Sequence, residues 1–341
     1  MTVLDIIQIL SPMNGISGRE NRVCDSIISL LPAECSYTVD ALGNLHVFRQ
    51  GRRPSKNKVI CSAHMDEVGM IVTGIAPDGR LYISPVGGID ARVIPGRRVQ
   101  VGDQNLSGVI GIEPACFSPA AERKNAMPMD QILVDIGAKD RADAAQYVAP
   151  GDSVHFIGTC TSLGNGGIKG KALDDRVGCA IALSLLQKQP AYDLTCMFVV
   201  QEEVGLRGAK AAAFSEEPDF AIVLETTTAC DLFGIPEHEQ VCQLGKGPVV
   251  SFMDRSTIYP QALYRLAFQT AQEAGIPCQT KTLVAGGNDA GAITQSRGGV
   301  PTLAISLPCR YLHSPSCLIR QDDLDNSCRL AELLFDKLAV L

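Results

Sequence analysis

Aromatic residues are scarce in this sequence. It contains no tryptophan, and Phe, Tyr and Trp together make up 5% of the chain. Polysaccharide hydrolases use aromatic rings as platforms for sugars, so the scarcity argues against that class. No apolar run is long enough to span a bilayer, and no basic stripe is present. A net charge of −7 also disfavours binding to nucleic acid.

The cysteines follow no pairing pattern. There are 13 of them, an odd number, and no two have CxxC spacing. Cys61, Cys179 and Cys196 lie inside apolar runs, where cysteine behaves as a small hydrophobe. The first ten residues contain Asp5 and no basic residue, unlike a secretory signal. These features predict reduced thiols and a cytoplasmic protein.

The order of apolar patterns predicts two structural units. In residues 1–69 and 162–341, apolar strands alternate with helical patterns, which is typical of an α/β fold with a mainly parallel sheet sandwiched by helices. Residues 70–161 instead carry short strand-like runs separated by Pro-Gly, Gly-Gly and Asp-Gly turns. We therefore expect a small β-barrel inserted into an α/β domain.

The stretch TCMFVVQEEVGLRG, residues 195–208, joins a buried strand pattern to a carboxylate pair, Glu202 and Glu203. On extended backbone, neighbouring side chains point in opposite directions, so one carboxylate can hold a metal while the other moves a proton. Taken alone, such a pair is more typical of a solvated turn. The pair indicates a functional site only if other candidate ligands lie at the same edge of the sheet.

Further candidates occur at the ends of other predicted elements. An H-x-D spacing follows the strand Lys58–Ser62, and its carboxylate can hold the second nitrogen of the imidazole. Because functional crevices in parallel sheets lie outside the carboxyl ends of the strands, these residues are predicted to share one rim. The candidates are His64 and Asp66 after one strand, Asp174 at the start of an apolar helix, Glu225 after Phe220–Leu224, and His313 after Thr302–Ser306.

This set of side chains favours a metal-dependent hydrolase. Imidazoles and carboxylates without a thiolate suit Zn²⁺, Co²⁺ or Mn²⁺ in a catalytic site. An excess of carboxylates suits two cations, roughly 3.5–4 Å apart, that share a bridging carboxylate and a bridging water. A free carboxylate beside that water can take its proton and pass it to a leaving amine. The residues thus predict amide hydrolysis.

Five motifs resemble those of the tetrahedral (TET) metallo-aminopeptidase family, and the resemblance covers essentially the whole chain. They are SAHMDEVG (62–69), ALDDRVGC (172–179), QEEVGLRGA (201–209), GGNDAG (286–291) and YLHS (311–314).

The resemblance implies a two-metal aminopeptidase. Asp174 would bridge the metals, Glu203 and His313 would complete one site, and His64 and Glu225 would complete the other. Glu202 would be the general base that activates the metal-bridging water, Asp66 the hydrogen-bond partner of His64, and the Asp174–Asp175 peptide would be cis. Family members usually form dodecamers in which the insert makes dimer contacts, and this caging would restrict substrates to short peptides.

Two positions depart from the family pattern. Glu225 stands where most members have Asp, and Asn288 where Thr is frequent. The role of Asp289 is open between helix capping and a substrate contact. The sequence also leaves open a deacylase or other amidohydrolase with the same dinuclear site. A non-catalytic protein on this scaffold is disfavoured because Glu202 and every expected ligand are present.

Overall fold

The computed structural model describes residues 1–112, 116 and 126–341. In these residues the α-helices are α1 (Val3–Leu10), α2 (Asn21–Ser29), α3 (Arg141–Ala144), α4 (Leu173–Gln187), α5 (Arg207–Glu216), α6 (Gln261–Glu273), α7 (Ala290–Thr294) and α8 (Gln321–Val340). The strands are β1 (Cys35–Val39), β2 (Leu45–Arg49), β3 (Val59–His64), β4 (Gly69–Ile75), β5 (Leu81–Val86), β6 (Arg98–Val101), β7 (Leu106–Ile110), β8 (Leu133–Asp135), β9 (Ser153–Phe156), β10 (Thr161–Leu163), β11 (Gly167–Gly170), β12 (Leu194–Val199), β13 (Phe220–Thr228), β14 (Val249–Val250), β15 (Gln279–Thr280), β16 (Thr302–Cys309) and β17 (Cys317–Arg320).

An eight-stranded sheet forms the centre of the α/β part, with strand order β1-β2-β12-β3-β13-β16-β14-β15. The four central strands, β12, β3, β13 and β16, are parallel to one another. The pairs β1–β2, β2–β12 and β14–β16 are antiparallel. The predicted α/β class is confirmed, with a parallel centre in a mixed sheet.

Helices cover both faces of this sheet, as the burial of its strands requires. Along β12, Cys196 and Phe198 pack into the larger apolar cluster with α1, α4 and α8, whereas Met197 and Val199 pack into a second cluster with α5 and α7. A strand buried on both faces reads as a continuous apolar run, which is why β12 is evident in the sequence. The side chain of Phe198 is fully buried.

The inserted segment closes into a six-stranded antiparallel barrel, β4-β5-β8-β7-β6-β9. Its interior is filled by alternate apolar side chains such as Met70, Val72, Val99 and Val154. The predicted barrel is therefore confirmed. The remaining strands, β10, β11 and β17, form a separate small sheet.

Two other properties bear on the sequence expectations. All thirteen cysteines are free thiols in the structure. Among the residues that the structure describes, no helix combines the length and apolar character needed to cross a membrane.

A buried ionic cluster lies where the barrel meets the α/β part. Lys171 donates to both carboxylate oxygens of Glu67, at 2.7 and 2.8 Å, and its side chain is 1% exposed. Arg176 and His155, the latter from β9, each approach Glu67 to 3.9 Å. Arg176 also donates to the carbonyls of Met65 and Leu10. Residues from both units thus share one buried carboxylate.

We expect Glu67→Gln to destabilise the fold by about 3–5 kcal/mol, because it leaves the buried Lys171 ammonium without its counter-charge. Denaturant unfolding measures this as a lower midpoint with an unchanged slope. Glu34→Gln is the matched control. The Glu34 side chain is 68% exposed, and its one ion pair, to Arg49, is long at 3.9 Å. A loss of less than about 1 kcal/mol in Glu67→Gln would contradict this role for the cluster.

Candidate active site

The candidate ligands meet at the carboxyl edge of the parallel strands. His64 is the last residue of β3, and Glu202 and Glu203 follow the end of β12. Glu225 lies inside β13 rather than after it, because β13 continues to Thr228 alongside β16. All of these residues, with Asp174 and His313, line one cavity of ≈ 490 Å³. A cavity of ≈ 660 Å³ beside β1 and β2 contains none of these candidate ligands.

Asp174 lies between the two imidazoles. Its Oδ1 is 3.3 Å from Nε2 of His64, and its Oδ2 is 3.3 Å from Nε2 of His313. The peptide between Asp174 and Asp175 is cis. Because each oxygen faces a different ring, one carboxylate can serve two neighbouring ligand sets.

Two sets of possible ligand atoms share this carboxylate. One contains Asp174, Glu203 and His313, and the other contains His64, Asp174 and Glu225; within each set the atoms lie within 4.8 Å of one another. Glu203 Oε2 is 3.5 Å from His313, and Glu225 Oε2 is 3.9 Å from His64. A further combination of His64 with Glu202 and Glu203 also meets the 4.8 Å distance.

Hydrogen bonds fix both imidazoles with Nε2 toward the cluster. Nδ1 of His64 donates to the backbone carbonyl of Asp66 at 3.1 Å. Nδ1 of His313 donates to the carbonyl of Gly88 at 2.8 Å. Each ring therefore presents an unprotonated Nε2 when neutral, the form that a metal ligand requires.

The Gly88 carbonyl comes from the barrel, on the turn that follows β5. Its neighbour Gly87 has φ +82, and a Cβ there would lie 2.9 Å from Val68 Cγ1 and 3.2 Å from Glu203 Cβ. Only glycine fits this conformation and this close approach. The Gly87-Gly88 turn thus allows the barrel to contact His313.

The Asp66 side chain has a different main contact from the one expected. Its Oδ1 is 3.5 Å from His64 Nδ1, but its two oxygens accept from the backbone N–H groups of Glu202 and Glu203 at 3.0 and 3.1 Å. Ser17 donates to the same carboxylate at 2.6 Å. Asp66 thus holds the turn that carries both glutamates.

The strand does not continue through Glu202 and Glu203, contrary to the extended geometry expected from the sequence, because β12 ends at Val199 and Glu203 lies in a turn. Gln201 has φ +57, and the carbonyl of Glu202 accepts from the N–H groups of Gly205 and Leu206. The two carboxylates therefore face the same cavity.

Burial and like charge dominate the electrostatics of the cluster. Burial raises the pKa of Glu203 to about 8, and the charge of Asp174 adds to this rise. Burial also raises the pKa values of Glu202 and Glu225 well above their ordinary range. Although burial opposes its charged form, Asp174 and Glu203 raise the pKa of His313 to about 10. Several carboxylates this close cannot all ionise unless positive charge is nearby.

The residues fit divalent cations. Glu225 Oε1 is buried and has no hydrogen-bond partner in the described part of the chain. The available donors are imidazole nitrogens and carboxylate oxygens without a thiolate, the set preferred by catalytic Zn²⁺, Co²⁺ or Mn²⁺. Cations bound here would neutralise the cluster and occupy its free lone pairs.

The GGNDAG loop answers whether Asp289 caps a helix, and it shows that the carboxyl group of Asp289 is buried. Asn288 Oδ1 accepts from the N–H of Ala290 and caps α7, whereas Asp289 makes no side-chain capping bond. Both carboxylate oxygens of Asp289 are buried without a partner among the described residues, and burial raises its pKa to about 7. Capping is therefore not the role of Asp289.

Sequence reasoning missed several contributors to the cavity, among them the Gly88 carbonyl and Lys281. The Gly-Gly dipeptide at 87–88 resembles any other turn of the insert. Lys281 directly follows the two-residue strand β15. No local pattern distinguishes Lys281 from a solvated lysine.

Comparison with known proteins gives the family. Residues 43–330 match the peptidase M42 family, described as M42 glutamyl aminopeptidase. The chain belongs to this family. It is therefore a peptide hydrolase of the aminopeptidase type, as the resemblance implied, and family membership implies divalent metal ions.

Relatives of this M42 peptidase are similar over nearly their whole length. The glutamyl aminopeptidase of Lactococcus lactis subsp. cremoris is 30% identical, with 95% of this chain and 93% of that protein covered. The lysyl aminopeptidase of Pyrococcus furiosus is 31% identical, with 95% and 94% covered. The solved Pyrococcus horikoshii TET1 peptidase, which can assemble into a tetrahedron or a large octahedral shell, is 34% identical with a TM-score of 0.85, and 98% and 99% are covered.

Metal binding is expected to stabilise the protein. After chelation, adding back Zn²⁺ or Co²⁺ at about 100 times its dissociation constant should raise the free energy of unfolding by about 2.7 kcal/mol and raise the thermal unfolding midpoint.

His313→Ala should bind fewer ions per chain than the parent, as measured by elemental analysis. His238→Ala is the matched control, because His238 is 81% exposed and outside the cavity. Equal metal content in His313→Ala and the parent would contradict the ligand assignment.

Proposed function

We propose that this M42 peptidase is a two-metal aminopeptidase that removes N-terminal residues from short peptides. The observation that supports this most strongly is the Asp174 carboxylate, whose two oxygens each face a different histidine. Under this proposal, Asp174, Glu203 and His313 hold one divalent ion, and His64, Asp174 and Glu225 hold the other. Zn²⁺ and Co²⁺ suit these donors best, and Mn²⁺ is also compatible.

When bound, two such ions supply a water of lowered pKa and polarise the scissile carbonyl. Glu202 is assigned as the general base, because it faces the same cavity and belongs to neither set of three proposed ligands. Its carboxylate accepts a proton as the water oxygen bonds to the carbonyl carbon. It then gives that proton to the amine nitrogen as the C–N bond breaks. One water is consumed, and Glu202 returns to its starting state.

Asp66 acts through the residues it contacts. Its backbone carbonyl orients His64, and its carboxylate fixes the N–H groups of Glu202 and Glu203. We assign it as a positioning residue that keeps the base and one ligand at constant separation. This extends the role that the sequence implied for Asp66.

Glu225 suits the second ligand set despite the extra methylene relative to the usual Asp. It is 6% exposed, and its Oε2 lies 3.9 Å from His64 Nε2. The longer side chain reaches the cluster from a position inside a strand. We therefore keep Glu225 as a ligand in this proposal.

We also propose that the chain assembles into a homo-oligomer, with a dodecamer as the expected form and the insert, residues 70–161, at dimer contacts. The oligomers of a relative support this proposal, since the TET1 peptidase can assemble into a tetrahedron or a large octahedral shell. The free thiols suit a reducing compartment such as the cytoplasm. Residues 1–69 and 162–341 would then form the catalytic domain.

Substrate tests separate this function from a deacylase. Amino-acyl p-nitroanilides with a free amine should be hydrolysed, whereas their N-acetylated forms should not be. Release of acetate from the acetylated forms, with no release of p-nitroaniline from the free-amine forms, would favour a deacylase. Hydrolysis of neither class by the metal-loaded protein would overturn the proposal.

Glu202→Gln should retain the metal content of the parent and lose at least ~10²-fold in kcat, because an amide cannot accept the proton. Elemental analysis and steady-state kinetics on one preparation measure both quantities. Glu239→Gln, at a residue 61% exposed outside the cavity, is the matched control. Turnover near the parent rate would show that Glu202 is not the base.

A further inference from the structure

The proposed general base lies on the loop between β12 and α5, residues 200–206, which we call the base-carrying loop. Carbonyl groups of this loop accept from N–H groups farther along the same segment. Val200 accepts from Gly208 at 3.0 Å, and Glu202 accepts from Gly205 at 2.9 Å. These internal bonds fix the shape of the loop, but they do not fix its place relative to the rest of the protein.

Four successive N–H groups of the base-carrying loop donate to side chains from three distant segments. The N–H of Val200 donates to Asn44 Oδ1 at 3.0 Å. The N–H of Gln201 donates to Glu20 Oε1 at 3.1 Å. The next two N–H groups, of residues 202 and 203, donate to the Asp66 carboxylate. These external side chains therefore set where the loop lies.

Asn44 is fully buried and joins the start of the base-carrying loop to the first turn of α5. Its Oδ1 accepts from Val200, while its Nδ2 donates to the Gly208 carbonyl at 3.1 Å. The same Nδ2 donates to Asp40 at 2.7 Å, in the turn before β2. A Cβ at Gly208 would overlap Asn44 Oδ1 and the Val200 carbonyl, so this approach requires glycine.

Glu20 holds the next residue of the loop from the start of α2. It is 5% exposed, and its Oε1 accepts from Gly18 at 2.8 Å as well as from Gln201. Gln201 has φ +57, a conformation that a residue other than glycine keeps only when its surroundings maintain it. Burial raises the pKa of Glu20 to about 7, so a neutral amide can replace this carboxylate at small electrostatic cost.

The position of the Glu202 carboxylate depends on its backbone. Among the described residues, Glu202 makes its hydrogen bonds through the main chain, and its carboxylate makes none. The proposed proton transfer requires this carboxylate within hydrogen-bond distance of the attacking water. A displacement of about 1 Å can reduce the rate about 10²-fold.

We propose that Glu20 and Asn44 are positioning residues for the general base Glu202. By holding the first two N–H groups of the base-carrying loop, they set where the Glu202 carboxylate lies in the cavity. This inference rests on the proposed aminopeptidase function. Neither Glu20 nor Asn44 lines the cavity, so each acts through the loop and not by contact with the substrate.

The test uses substitutions of Glu20 with L-leucyl p-nitroanilide as substrate. Glu20→Ala should lower kcat about 10- to 100-fold, with KM changed less than about threefold, because the lost placement matters only in the transition state. Elemental analysis should show the metal content of the parent. Glu20→Gln keeps an acceptor oxygen and should restore kcat to within about threefold of the parent.

Asp323→Ala is the matched control. Asp323 is also a buried carboxylate that accepts from two backbone N–H groups, those of Gly245 and Gly247, and it lies outside the cavity. This variant should lose stability and keep the parent's kcat per folded, metal-loaded chain.

A double-mutant cycle separates positioning from a general structural role. In a Glu202→Gln background the base is already absent, so Glu20→Ala should lower kcat less than about twofold further. Asn44→Ala should behave in the same way, with a larger loss when Glu202 is present than when it is replaced. A loss through partial unfolding would instead be equal in both backgrounds.

The outcomes distinguish this inference from the proposed function. An unchanged kcat in Glu20→Ala, an equal loss in both backgrounds, or a loss of metal in step with activity overturns the positioning role and leaves the aminopeptidase function intact. If the alanine variants do not fold, Glu20→Asp decides, because it keeps the charge and shortens the side chain by one methylene; a parent-like kcat there rejects the proposal. Failure of the metal-loaded parent to hydrolyse any free-amine substrate overturns the proposed function and this inference with it.

Discussion

The arrangement of the site depends on one carboxylate held between two imidazoles. Asp174 stands at the start of α4, and it can face both rings only because β3 and the loop after β16 end at the same edge of the sheet. Each ring in turn is fixed by a backbone carbonyl, from Asp66 and from Gly88. The negative charge that accumulates around this point is costly in a buried site, and bound cations are the natural compensation.

Backbone strain is concentrated around the same point. Ala172, Gln201, Leu206, Tyr311 and His313 all have positive φ values between 48° and 61°. Residues other than glycine adopt this region at a cost of about 1–3 kcal/mol each, and such residues cluster at functional sites. The surrounding packed strands and helices supply the rigidity that maintains these conformations.

Much of this arrangement could be predicted because it follows from strand order. Residues after β3, β12 and β16 share a rim in any sheet with a parallel centre, so His64, Glu202, Glu203 and His313 could be grouped from sequence. The barrel was also predictable, since its short alternating runs and turn dipeptides differ from the rest of the chain.

What could not be predicted depends on turns and on contacts between distant segments. The Asp66 carboxylate accepts from the backbone N–H groups of Glu202 and Glu203, and no local pattern indicates that this distant side chain would hold the turn after β12. The length of β13 depends on its register with β16, which the sequence of β13 alone does not contain. Lys281 reaches the cavity because β15 stops after two residues, a tertiary effect at the edge of the sheet.

The hydrogen bond from His313 to Gly88 has a mechanical consequence. The acceptor belongs to the barrel, whereas the imidazole belongs to a loop of the α/β part. A displacement of the barrel relative to the α/β part would move this acceptor away from the imidazole that it orients. The orientation of one candidate ligand therefore depends on the barrel as well as on the α/β part.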